Sequence, residues 1–126
     1  MVLTPHDLVT EAKTYIKEIT TDQAYSQLGK VLIIDVREYE EYVQGHLPSA
    51  LLLPRGVLEF KIGTVNECGD KNATYLLYCR TGGRSALSAW QMKKIGYNNV
   101  YSIAGGYEAW TKEGKDVDKP PQVNDG

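Results

Sequence analysis

The chain has 126 residues, a length suited to one domain around one core. Hydrophobic residues make up 42% and charged residues 24%, an ordinary globular balance. Fourteen Lys and Arg against sixteen Asp and Glu leave a net charge of −2, which lacks the basic excess of a dedicated nucleic-acid binder.

Thr4-Pro5 opens the first predicted helix, with a capping side chain and a proline at the first helical position. Leu8, Ala12 and Ile16 form its apolar stripe. An extended segment is expected from Ile19, then a helix capped by Thr21 or Asp22, running through Leu28 and ended by Gly29. Val31-Leu32-Ile33-Ile34 reads as a strand buried on both faces. A short helix over 38–43, a strand over 51–53 and a helix over 57–62 follow. Then come a strand over 75–78, a strong helix over 84–95 closed by Gly96, a strand over 100–103 and a last helix over 107–113. Alternation of this kind calls for a single-domain α/β fold, a parallel sheet with helices on both faces. Ligands of such sheets bind beyond the carboxyl ends of the strands. Asp35-Val36-Arg37 ends one strand and Cys79-Arg80 another, so both reach the same edge.

The longest apolar runs fall far short of the roughly 20 residues that span a bilayer, so no membrane segment is expected. Residues 1–14 show no basic segment leading into an apolar one. No signal peptide is therefore expected, and the expected location is cytoplasmic. The two cysteines, Cys68 and Cys79, are too few for a disulfide framework. They lie far from each other and from His6 and His46, which argues against a metal site. No metal or other cofactor is expected, and a monomer is the default.

Cys79 directly follows an apolar strand and opens Cys79-Arg80-Thr81-Gly82-Gly83-Arg84-Ser85, which leads into a helix. Paired glycines let backbone N–H groups turn inward around one point, and the helix N-terminus adds partial positive charge there. Arg80 and Arg84 are expected to add full charge. A free cysteine is usually a buried structural residue. In this electropositive turn it is instead expected to be a thiolate nucleophile, with Arg80, Thr81, Gly82, Gly83 and Arg84 forming an anion cradle. Cys68, in the polar turn Asn66-Glu67-Cys68-Gly69-Asp70, has no such surroundings and reads as incidental.

These residues resemble the rhodanese family, over about 19–114. The first marker is Ile34-Asp35-Val36-Arg37-Glu38 with Glu41-Tyr42 and Gly45-His46-Leu47-Pro48-Ser49-Ala50. The second is the cysteine loop; the third runs from Ala104-Gly105-Gly106 to Trp110. The resemblance implies a rhodanese-like domain over 19–114 with a five-stranded parallel sheet. Residues 1–18 would be a helical extension packed on it, and 115–126 a polar tail. It also implies a thiosulfate sulfurtransferase working by ping-pong transfer through a persulfide on Cys79. The donor is expected to be a small sulfur-containing anion such as thiosulfate, and the acceptor a thiol or cyanide. A protein accepting the persulfide, in a sulfur-carrier or regulatory role, is the alternative. Asp35, Arg37 and Arg55 are supporting candidates: Asp35 as a buried carboxylate satisfied by nearby backbone or Arg, Arg37 as the partner of a carboxylate or a pocket residue, and Arg55 or Phe60 at the pocket mouth. His46, Tyr107 and Trp110 read as structural. A phosphatase or arsenate reductase activity is the rival reading, and the related cell-cycle phosphatases place five residues between cysteine and arginine. Cys79 and Arg84 are separated by four, a smaller cradle suited to sulfur.

Overall fold

The structure, a computed structural model, describes residues 2–120. Its frame is a five-stranded sheet of β1 (Lys17–Ile19), β2 (Leu32–Asp35), β3 (Leu51–Leu52), β4 (Thr74–Tyr78) and β5 (Asn99–Ile103). The spatial order is β1-β5-β4-β2-β3, and every neighbouring pair is parallel. The helices are α1 (Pro5–Tyr15), α2 (Thr21–Tyr25), α3 (Tyr39–Tyr42), α4 (Leu58–Lys61), α5 (Gly83–Lys94) and α6 (Gly106–Lys112). Two short 3₁₀ turns, Ile62–Thr64 and Asn66–Cys68, lead from α4 toward β4.

Strand periodicity sorts the core into two halves. Along β4 and just past it, Tyr75, Leu77 and Cys79 join one cluster with Ala12 of α1, Leu58 of α4 and Ala86, Ala89 and Met92 of α5. Leu76 and Tyr78 join the other, with Ala24 of α2 and Trp110 of α6. Along β2, Ile34 and then Val36 join the first cluster, while Ile33 joins the second. This two-residue alternation makes the layered α/β packing possible, because each strand feeds both helical layers.

The helix starts follow capping chemistry. Thr4 and Asp7 form a reciprocal capping box at α1, and Thr20 with Gln23 forms one at α2. The cap of α2 is thus one residue before the expected Thr21, and the helix stops at Tyr25, with turns carrying the chain to Gly29. The first strand also differs from expectation. It ends at Ile19 instead of starting there, with Lys17 and Glu18 paired to Tyr101 and Ser102. Its polar, exposed flank hides it from a hydrophobicity pattern. At the other end, the segment after α6 is stitched to the domain. His46 and Asp118 exchange backbone hydrogen bonds of 2.9 and 2.8 Å, and the Trp110 indole donates to the Asp116 carbonyl at 2.7 Å. Among the described residues no helix is long and apolar enough to cross a membrane.

Candidate active site

β4 ends at Tyr78, so Cys79 is the first residue beyond its carboxyl end. The chain then turns through Arg80, Thr81 and Gly82 into α5. Gly82, at φ +120°, is the cap residue of that helix. That backbone region disfavours any residue with a Cβ, and it lets the Gly82 N–H face back toward the cysteine. Gly82 N–H donates to Cys79 Sγ at 3.1 Å and Ser85 N–H donates to it at 3.4 Å. The Ser85 hydroxyl lies 3.5 Å from the same sulfur. The sulfur therefore sits where the oxygen of a capping side chain would sit, taking the free N–H groups of the helix start. Cys79 is 1% exposed.

The outer side of the loop is held by α6. Tyr107 N–H donates to the Cys79 carbonyl at 2.8 Å, and Glu108 N–H donates to the Arg80 carbonyl at 3.0 Å. Gly106, at φ +57°, lets α6 come this close. A Cβ there would lie 2.7 Å from the Arg80 carbonyl oxygen and closer still to that of Cys79. The Gly105-Gly106 pair thus has a physical role that its place in a sequence marker does not reveal.

Both loop arginines face carboxylates. Arg84 makes a two-pronged ion pair with Glu41 of α3, at 2.8 and 3.0 Å, and this holds the Glu41 carboxyl down to about 2. Arg80 is exposed and faces Glu108 at 3.5 Å. Both loop arginines are charge-compensated, so the donors closest to the sulfur are backbone N–H groups and a hydroxyl. Thr81 is exposed on the outside of the turn, while Gly83 packs under α1, where an added Cβ would meet Val9 at 3.4 Å.

Asp35 and Arg37 reach the same edge but the opposite face. Arg37 clamps Asp35 with Nη2 at 2.8 Å and Nε at 3.0 Å, and donates to the Gly45 carbonyl at 2.7 Å. The Tyr78 hydroxyl donates to Asp35 at 2.5 Å and accepts from Leu47 N–H at 3.0 Å. Burial, then the charge and hydrogen bond of Asp35, push the Tyr78 phenol far up, so it stays a donor. Burial works against the Arg37 charge, but Asp35 outweighs it and raises that group. The Arg37 guanidinium also lies over the Tyr107 ring, 4.2 Å from its centre. Arg55 pairs with Glu59 at 3.0 Å. Phe60 is 84% exposed. A groove of about 400 Å³ between α3 and α6 is lined by Arg37, Glu40, Glu41, Gln44, Arg80 and Tyr107. It opens beside the cysteine loop.

His46 bonds the Leu47 carbonyl through Nδ1 at 2.8 Å and stacks on Tyr42 at 3.9 Å. Cys68 is buried, and burial with the nearby Glu67 charge pushes its thiol up to about 11. Sequence reasoning assigned no role to Ser102 of β5, whose hydroxyl lies 2.8 Å from that of Ser85. Neither did it assign one to Glu41 or Glu108. Serine and glutamate spacing gives no signal for contacts made across the sheet edge.

The Rhodanese-like domain model matches residues 20–113. A curated sulfurtransferase from Allochromatium vinosum is 29% identical over 108 residues, covering 83% of this chain and 97% of that one. The putative sulfur carrier protein YrkF of Bacillus subtilis is 37% identical over 79 residues, covering 63% of this chain. This chain spans only 40% of the length of YrkF. Among solved structures, a Rhodopseudomonas palustris protein of unknown function, described as a possible tyrosine phosphatase, superposes with a TM-score of 0.83. It is 28% identical, covering 94% of this chain and 96% of its own. A rhodanese-like domain protein from Staphylococcus aureus gives a TM-score of 0.72 at 29% identity, covering 84% of this chain and all of its own. The match over 20–113, on a five-stranded parallel sheet carrying a cysteine loop at its carboxyl edge, places the chain in the rhodanese-like domain family.

Proposed function

We propose that the chain is a sulfurtransferase that carries a sulfane sulfur as a persulfide on Cys79. The observation that carries this reading is the convergence of Gly82 N–H, Ser85 N–H and the Ser85 hydroxyl on one sulfur. Donors aimed at one anionic atom stabilise both a thiolate and the charge of a persulfide without a histidine base. In the first half-reaction the Cys79 thiolate attacks the outer sulfur of thiosulfate. The S–S bond of the donor breaks, and sulfite leaves with the electron pair. In the second, an acceptor thiolate attacks the outer sulfur of the persulfide, and Cys79 leaves as the thiolate. Cyanide as acceptor yields thiocyanate. Gly82, Gly83 and Thr81 shape the turn, and Arg84 braces it against α3 through Glu41.

Phosphoryl chemistry is the weaker reading despite the description of the Rhodopseudomonas palustris structure. Only four residues separate Cys79 from Arg84, and the Arg84 guanidinium bonds Glu41. A tetrahedral phosphate needs its charge-bearing donors at the nucleophile. Similarity to a sulfur carrier favours a second outlet for the persulfide, a partner protein's thiol in place of a small acceptor.

The test is mass spectrometry after thiosulfate treatment, run beside thiosulfate:cyanide turnover and aryl phosphate hydrolysis. The expected result is one added sulfur on Cys79, with adduct and turnover both lost in Cys79→Ser. Phosphate hydrolysis without sulfur uptake would overturn the reading. Loading without cyanide turnover, relieved by a thiol protein, would select the carrier form.

A further inference from the structure

Ser85 and Ser102 are both fully buried, one in the first turn of α5 and the other on β5. Their hydroxyls are 2.8 Å apart, and the Ser85 hydroxyl is 3.5 Å from Cys79 Sγ. Among the described residues the Ser102 hydroxyl has no other hydrogen-bond partner. The three atoms form a line running from the sheet interior to the reactive sulfur.

The direction of this line is set by counting protons. With an anionic sulfur at its end, Ser102 donates to Ser85 and Ser85 donates to sulfur, so both hydroxyl protons are used. In the reverse direction a thiol S–H donates to Ser85 and Ser85 donates to Ser102. The Ser102 proton then has no acceptor in a place water does not reach, which is unfavourable. Hydroxyls in series also polarise one another, so a donating Ser102 makes Ser85 a better donor.

We propose that Ser102 is a positioning residue for sulfur transfer: it orients the Ser85 hydroxyl toward Cys79 and thereby favours departure of the cysteine as an anion. This rests on the sulfur-transfer reading. Its effect belongs to the second half-reaction, in which the acceptor thiolate bonds the outer sulfur and the electron pair of the broken S–S bond goes to Cys79. A better-stabilised leaving thiolate departs faster, while the same stabilisation weakens it as the attacking group in the first half-reaction.

The experiment measures the two half-reactions separately by stopped flow, thiosulfate loading and then discharge to a small thiol, at a pH on the plateau of the loading rate. Wild type, Ser102→Ala, Ser85→Ala and the double variant are compared, with thermal melting as a fold control. The discharge-to-loading ratio is expected to fall about tenfold in Ser85→Ala and about threefold in Ser102→Ala. The double variant is expected to match Ser85→Ala, because Ser102 acts through Ser85. An unchanged ratio in Ser102→Ala overturns the inference. So does an equal further loss when Ser102→Ala is added to Ser85→Ala. Absence of any sulfur on wild-type Cys79 would instead defeat the sulfur-transfer reading itself.

Discussion

Tyr78 and Cys79 are neighbours in the chain and belong to opposite faces of the sheet. On the Tyr78 side, the edge is built from side-chain charge. Asp35, Arg37 and the phenol form a buried network in which the Asp35 carboxylate accepts from the Arg37 guanidinium and from the Tyr78 hydroxyl. On the Cys79 side, the edge is built from backbone N–H groups and a hydroxyl that converge on one sulfur atom. The contrast shows how one strand end supports a rigid ion pair on one face and, on the proposed function, a reactive sulfur on the other.

Gly106→Ala probes the reactive side most sharply without touching the cysteine. The new methyl would meet the Cys79 and Arg80 carbonyls and force a left-handed alanine. Sulfur-transfer kcat/KM should fall by about a hundredfold, the scale of an ångström-level displacement of reacting groups. Steady-state kinetics checks this, and near-normal kinetics would show that the loop tolerates a retreat of α6. Asp35→Asn probes the other side. It leaves Arg37 buried without its counter-charge and should cost about 3 kcal/mol of stability by urea unfolding. Activity per folded molecule should hold within about threefold. If activity falls while stability holds, the network serves the chemistry and the division between the faces fails.

Glu41→Gln tests the ion pair that braces the loop. Arg84 holds the Glu41 carboxyl at about 2, below the ordinary 4.5. A depressed carboxyl stabilises the fold fully above its unfolded value, and that contribution disappears as pH falls toward 2. The pair is about one-third exposed, so solvent discounts it to about 1 kcal/mol. Acid titration of unfolding free energy should therefore show a shallower loss between pH 4.5 and 2 in Glu41→Gln than in wild type. Arg80→Ala should do least. With 72% of its side chain exposed and Glu108 nearby, its removal should change thiosulfate kcat/KM by less than about threefold. A larger drop would return charge to the list of what the loop supplies.

The sheet was legible because its central strands are short β-branched and aromatic runs between helical patterns. Thr74–Tyr78 and Leu32–Asp35 lie within a residue of expectation. β1 was misplaced because Lys17 and Glu18 carry no apolar signal and are strand only by pairing with β5. At the site, the cysteine and its glycine turn were readable because local backbone chemistry is written in local sequence. The pairing of the arginines was hidden for the converse reason. A charge is visible in the sequence, but its neutralisation by Glu41 or Glu108 depends on α3 and α6 arriving from elsewhere. Ser102 was invisible because a hydroxyl across the strand end has no sequence spacing to mark it.

The grip of α6 on the Cys79 and Arg80 carbonyls bears on when the site comes into being. The hydrogen bonds from Tyr107 and Glu108 arise more than twenty residues after the cysteine, beyond both α5 and β5. During synthesis Cys79 is made before the segment that braces its loop from outside. A chain stopped ahead of Gly105 would carry Cys79 and its Gly82 and Ser85 donors without the α6 contacts that brace the loop from outside. On the proposed function, the loop that serves sulfur transfer is held in its final place only once α6 has packed on it.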